Sequence, residues 1–289
     1  MDDENDLELT VAQIINKYDL CRQRGRLKAY GQNFLLDGSL LRKIAGSAFP
    51  IGADDAIIEV GPGPCGLLRA IMEYSKANEI YCIEKDTLFK PIHDNLVAHI
   101  RGRTPPHFVY EDALKVKLQS LTNRHLVVIS NLPYNVGSKL LVNWLSDLTR
   151  INKMVLMFQR EVADRICADA GTKEYGRLSI ISQLLCKTEK LFNVSCSAFV
   201  PKPKVTSAVV RLTPHSGAHV ENMANIERLT ADCFRHRRKT MSKIISRYYG
   251  VDAIAALDNC DIDKLARPEN VPPLKFLALA TALCNVTRL

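Results

Sequence analysis

The chain has 289 residues, enough for one large domain or two of ordinary size. At 47% hydrophobic and 24% charged residues it can bury a substantial core, which excludes wholesale disorder, and no run approaches the roughly 20 apolar residues of a membrane-spanning helix. The net charge of +8 favours an anionic partner. The first eight residues carry five acids and no base, unlike a secretory leader or a transit peptide, so the expected location is the cytoplasm. Five bases follow (Lys17, Arg22, Arg24, Arg26 and Lys28), against Asp19.

From residue 56 short apolar runs alternate with helical stretches. Strands are predicted at 56–60, 79–84, 107–110, 125–130 and 154–158. Helices are predicted at 65–74, 88–100, 139–148 and from 161. That alternation makes a parallel sheet covered on both faces. After Gly176 the pattern changes to a helix over 178–187 and strands at 191–194 and 208–212. The turn-rich Phe199-Val200-Pro201-Lys202-Pro203-Lys204 between those strands suggests an antiparallel pair at the end of the sheet. Residues 214–217 read as a linker. Beyond them no strand signal survives. Ile226, Leu229, Cys233, Phe234, Met241, Ile244, Ile245 and Tyr248 mark one helical face, and further helices are predicted at 251–257, 262–266 and 273–283.

The six bases Arg235, Arg237, Arg238, Lys239, Lys243 and Arg247 have no acid among them. They form either a solvated helix face or a surface for a polyanion. The nine cysteines are scattered, odd in number and without a Cys-x-x-Cys pair, which reads as thiols in a reducing compartment. No metal site is expected.

In an open parallel sheet, ligands bind outside the carboxyl ends of the strands. After the first strand comes Gly61-Pro62-Gly63-Pro64-Cys65-Gly66, whose glycines allow a tight turn and close approach to a ligand. Glu84 ends the second strand, about 20 residues past that loop, where an acid can accept from ribose hydroxyls. After the third come Glu111 and Asp112. An acid there can accept from an adenine amino group, and Asp112 equally fits a helix N-cap. After the fourth comes Ser130-Asn131-Leu132-Pro133-Tyr134-Asn135. An exocyclic adenine amine is a poor nucleophile because its lone pair is delocalised into the ring. Acceptors that favour a more tetrahedral nitrogen let it attack a methyl group. The Asn131 oxygen and a carbonyl held by Pro133 are such acceptors, and Tyr134 offers a ring face for an extruded base.

Asn131-Leu132-Pro133-Tyr134 resembles the catalytic motif of amino-methyltransferases that use S-adenosylmethionine. Three further segments in order narrow the resemblance: Tyr30-Gly31-Gln32-Asn33-Phe34-Leu35, Glu174-Tyr175-Gly176-Arg177-Leu178-Ser179, and Phe199-x-Pro-x-Pro-Lys-Val leading into Ser207-Ala208-Val209-Val210-Arg211-Leu212. Jointly they resemble the KsgA-type ribosomal RNA adenine dimethyltransferases, from about residue 18 to 285. Phe234-Arg235-His236-Arg237-Arg238-Lys239-Thr240 matches that family's C-terminal domain.

The resemblance implies an α/β fold of the Rossmann-like class I methyltransferase type, with a mostly parallel seven-stranded sheet and a small all-helical C-terminal domain. The expected division is a partly basic N-terminal extension at 1–28, a methyltransferase domain at 29–215 and a helical RNA-binding domain at 216–289. Asn33 and Leu35 are expected to contact S-adenosylmethionine, Gly61 to line its methionine side, Glu84 to take its ribose and Asp112 its adenine. Asn131 is expected between cofactor and target, and Phe199 to stack on the target adenine with Tyr134. Cys65 departs from the family pattern, where Gly is common. The implied reaction dimethylates two neighbouring adenines of small-subunit ribosomal RNA. The implied partner is the small ribosomal subunit, met by a monomer, with no metal and no membrane. The alternative is a non-catalytic RNA- or DNA-binding assembly or transcription factor on the same fold.

Overall fold

A computed structural model describes residues 5–23, 25, 31–75, 77, 79–217 and 223–286. Arg24, Arg26, Lys28 and Tyr30 lie outside the described residues. Two compact units divide the chain: 1–163 with 189–213, and 164–188 with 214–289.

The first unit is built on a seven-stranded sheet. Its strands in chain order are β2 (Asp55–Val60), β3 (Glu79–Ile83), β4 (His107–Val109), β5 (His125–Asn131), β6 (Ile151–Gln159), β7 (Cys186–Val194) and β9 (Ser207–Pro214). Their spatial order is β4-β3-β2-β5-β6-β9-β7. Neighbours from β4 to β6 are parallel, and β9 runs antiparallel to β6. The short β1 (Phe34–Leu35) and β8 (Phe199–Val200) form a separate antiparallel ribbon, with Leu35 opposite Phe199.

The sequence explains the order. All six residues of β2 are buried, as are the five central residues of β5. Continuous burial is what a central parallel strand covered on both faces requires. Each such Ile, Leu or Val contributes about 1.5–3 kcal/mol. The chain lays β3 and β4 on one side of β2, then returns to lay β5 on the other. The switch point therefore falls between the carboxyl ends of β2 and β5, where open α/β sheets leave a crevice.

The first unit's helices are α1 (Val11–Lys17), α2 (Gly38–Gly46), α3 (Gly66–Tyr74), α4 (Lys90–His99) and α5 (Gly137–Leu145), and α6 (Arg160–Ile166) follows β6. Residues 5–20 are integral to this unit. Val11, Ile14, Ile15 and Leu20 are buried in its core. Asp6, also buried, accepts from Tyr18 Oη at 2.7 Å and Lys17 Nζ at 3.0 Å. A reciprocal capping box between Thr10 and Gln13 starts α1.

The second unit contains α7 (Arg177–Leu185), α8 (Met223–Arg235), α9 (Met241–Tyr249), α10 (Ala255–Asn259) and α11 (Pro273–Val286). Ala168, Tyr175 and Ile180 bury themselves in one cluster with Ile226, Leu229 and Phe276, and Tyr175 Oη donates to Val271 O at 2.8 Å. Those contacts group 164–188 with this unit. Three elements differ from expectation. The helix predicted at 178–187 ends at Leu185, and Cys186 opens the nine-residue strand β7. The single helical face at 226–248 is two helices: Lys239 N donates to His236 O and Met241 N to Ala266 O, which breaks the chain between α8 and α9. Residues 262–266 form no helix but hold one turn at 264–265, closed by Ala266 N donating to Asp263 O. No helix among the described residues is long and apolar enough to cross a membrane.

Candidate active site

The loop after β2 has a left-handed backbone at three positions: Gly61 (φ +71°), Gly63 (φ +50°) and Cys65 (φ +59°). Only glycine adopts that region without penalty, so Cys65 carries local strain. Its side chain is completely buried. Gly61 N donates to Ile83 O at 2.8 Å and Cys65 N to Pro62 O at 2.9 Å, which curls the loop over the sheet edge. At Gly66, which opens α3, a Cβ would lie 2.7 Å from Val11 Cγ2, so only glycine lets α1 approach.

Glu84 follows β3 and is 4% exposed. Its Oε2 accepts from Gly63 N at 3.2 Å and its Oε1 from Asp86 N at 2.8 Å. Burial pushes this carboxyl up to about 7. Asp112 follows β4 and accepts from Lys85 Nζ at 2.8 Å and Leu114 N at 3.0 Å. The hydrogen bond from Lys85, then that from Leu114, holds its carboxyl below the ordinary range. Asp112 thus closes a turn; no helix follows it.

Asn131 ends β5. Ser130 Oγ donates to Val60 O at 2.5 Å, stitching the β5 end to the β2 end. Asn131 Nδ2 donates to Asn33 O at 3.3 Å, which leaves Oδ1 as the acceptor. The Pro133 carbonyl accepts from Val136 N at 3.2 Å and Gly137 N at 3.0 Å, so that acceptor is spent on starting α5. The carbonyl fixed by the proline ring is therefore that of Leu132. Tyr134 Oη is 2.5 Å from the buried Ser207 Oγ. Burial raises the phenol above its ordinary value and keeps it protonated.

Asn33, Leu35, Gly61, Glu84, Asp112, Asn131 and Tyr134 all line one cleft of about 1160 Å³. Phe199 does not. It is 2% exposed, opposite Leu35 in the β1–β8 ribbon, with its ring in the core cluster that also holds Phe34 and Leu35. A ring packed this way presents no open face to a base.

Two cleft residues with a buried, unpartnered oxygen were not singled out from the sequence. Glu59, one residue from the end of β2, is 1% exposed and its Oε2 has no hydrogen-bond partner among the described residues. Burial, reinforced by the neighbouring Glu84, raises its carboxyl well above the usual range. The available signal was an acid inside an otherwise apolar strand. Gln32 likewise lines the cleft, with a buried and unpartnered Oε1. A cleft with two buried carboxyls suits a ligand that carries positive charge and hydroxyl donors.

The sequence matches the family model for ribosomal RNA adenine dimethylase over residues 24–284. It is 42% identical over 256 residues to the ribosomal RNA small subunit methyltransferase A of Caulobacter vibrioides, covering 88% of this chain and 96% of that one. A dimethyladenosine transferase from Plasmodium falciparum is similar in structure, with a TM-score of 0.77, 25% identity and coverage of 88% and 98% of the two chains. The 23S rRNA methyltransferase ErmE matches with a TM-score of 0.67 and 25% identity, over 87% of this chain and 99% of that one.

Proposed function

The chain belongs to the ribosomal RNA adenine dimethylase family, and from that premise we propose that it transfers methyl groups from S-adenosylmethionine to small-subunit ribosomal RNA. The target is the exocyclic amine of two adjacent adenines in a loop near the 3′ end, each becoming dimethylated. The observation that carries this reading is the cleft itself, where the strand-end Asn131 and the buried Glu84 share one wall system.

The residues present fit the cofactor. Glu59 offers an unpartnered buried carboxyl oxygen to a cationic group. The Glu84 oxygens accept from the backbone N–H groups of Gly63 and Asp86 and keep lone-pair capacity for a ribose hydroxyl. Asp112, Asn33, Leu35 and Gly61 complete the expected set. S-adenosylmethionine supplies a methyl group activated by its positively charged sulfur. The protein's part is positioning and electrostatics. Asn131 Oδ1 and the Leu132 carbonyl accept from the target amine and favour a nucleophilic nitrogen. Tyr134, anchored through Ser207, offers a fixed ring to an unpaired base, for which extrusion costs least. A non-catalytic role leaves the 131–134 motif and the two buried carboxyls without a use.

In the second unit Arg235, Arg238, Lys239, Lys243 and Arg247 are exposed, while Arg237 pairs with Glu269. These exposed bases meet ribosomal RNA phosphates, with the protein acting as a cytoplasmic monomer on the small subunit. The direct test incubates the protein with immature small subunits and S-adenosylmethionine, then examines the RNA by mass spectrometry. Two dimethyladenines in one loop are expected. Cofactor and subunit binding without any methylation would favour the assembly-factor alternative.

A further inference from the structure

His93 lies in α4, is 1% exposed and is not part of the cleft wall. Its ring stacks on Phe108, with centroids 4.2 Å apart and planes 14° apart. Both ring nitrogens are engaged. Nε2 is 2.8 Å from Gly63 O, and Nδ1 is 2.9 Å from Tyr110 Oη. A carbonyl only accepts, so Nε2 carries the proton. In a neutral imidazole Nδ1 is then an acceptor, and the Tyr110 hydroxyl donates to it. Burial holds His93 down to about 4, which keeps the ring neutral in ordinary buffers.

Gly63 is therefore gripped at both of its polar atoms. Its carbonyl accepts from His93, and its N–H donates to Glu84 Oε2 at 3.2 Å. Glycine in the left-handed region has little conformational preference of its own, so these two bonds set where its N–H points. The direction of that N–H decides which Glu84 lone pairs remain for a ligand.

We propose that His93, backed by Tyr110, is a positioning residue for cofactor recognition: a hydrogen-bonded chain from Tyr110 through His93 and Gly63 orients the Glu84 carboxylate toward the ribose. This rests on the reading of Glu84 as the ribose acceptor. Phe108 and Phe89 would pack equally well against any flat ring, whereas only a ring that donates at one nitrogen and accepts at the other links Tyr110 to Gly63.

The test is a double-mutant cycle on the full chain. His93→Phe keeps a flat ring and removes both hydrogen bonds; Tyr110→Phe removes one oxygen from a half-buried ring. Each is made alone and with Glu84→Ala, and S-adenosylmethionine affinity is measured by calorimetry beside steady-state kinetics on small subunits. Alone, each should weaken cofactor binding about three- to tenfold, seen in the cofactor KM more than in kcat. With Glu84→Ala the further loss should shrink to within about twofold. An undiminished loss in that background, or no loss alone, overturns the positioning role and leaves His93 as packing. If His93→Phe does not fold, Tyr110→Phe carries the same cycle. Unchanged affinity in Glu84→Ala alone overturns the ribose assignment, and the positioning role with it. Nitrogen-15 spectra of His93 should show a protonated Nε2 and a bare Nδ1 at neutral pH; the opposite tautomer or an imidazolium also overturns it.

Discussion

The side-chain amide of Asn131, at the end of a central strand, donates to the backbone carbonyl of Asn33, 98 residues earlier in the chain. One bond thus ties the strand-end motif to the N-terminal segment that walls the same cleft. It also fixes which end of the amide is left to accept from a substrate.

Asn131→Ala should lower methyl transfer by roughly a hundredfold or more, the cost of one preorganised polar contact in a transition state. Cofactor affinity should stay within a few fold, because Glu84 and the glycine loop are untouched. Single-turnover methylation of small subunits beside calorimetry checks both. Near-normal turnover would remove Asn131 from the chemistry.

Glu84 should leave a pH signature in stability. Its carboxyl is pushed from 4.5 up to about 7, so its contribution is whole below about 4.5 and is lost as pH rises through about 7. The loss is roughly 3 kcal/mol. His93 acts in the opposite sense: lowered from 6.5 to about 4, its contribution is present above 6.5 and lost as pH falls through about 4. Comparing wild type with Glu84→Gln cancels the His93 effect. In denaturant unfolding without cofactor, wild type should lose stability relative to the variant as pH rises through this window. A flat difference would mean that Glu84 titrates as an ordinary surface carboxylate.

Phe199→Ala should destabilise the first unit by about 3–5 kcal/mol, the usual cost of deleting a buried ring. Phe199→Leu should recover much of that stability and of the activity. Thermal unfolding and methyl transfer are measured together. A Phe199→Ala protein with unchanged unfolding and lost transfer would show the ring serving the base instead of the core.

Gly66→Ala should cost about 1–3 kcal/mol, because its Cβ meets the stiff Val11 side chain at 2.7 Å and Leu41 Cδ1 at 3.2 Å. The relief available is displacement of α1, so hydrogen exchange should rise there first. Equal protection of α1 in both proteins would contradict this packing.

Arg238 and Lys239 are exposed at the corner between α8 and α9. Replacing both by Ala should weaken subunit binding and flatten its salt dependence by about 0.7–0.9 log units per lost phosphate contact. Folding and cofactor affinity should hold. Binding measured across a salt series with an unchanged slope would return these bases to a solvated surface.

What is local and repetitive was legible in the amino-acid order. Within the predicted strands, 56–58 and 126–129 are apolar without interruption because both faces of a central parallel strand are covered, so burial writes itself into each residue. That Gly61, Glu84, Asp112 and Asn131 line one cleft was legible from strand direction, since each sits at a strand's carboxyl end, where a parallel sheet leaves its crevice. The edge strand β7 was legible only at 191–194; its start was not, because buried Cys186 is followed by the exposed or half-exposed Lys187, Thr188 and Glu189, which carry no apolar run. The corner at 236–240 was not, because the apolar spacing continues in phase across it and the break depends on a bond to Ala266. The resemblance implies that Phe199 stacks on the target adenine; its placement opposite Leu35, distant in sequence, and within the core cluster is decided by tertiary pairing. Glu59 and His93 owe their roles to burial beside the glycine loop, and desolvation is a property of what the fold brings around a residue, which its immediate neighbours in the chain do not specify.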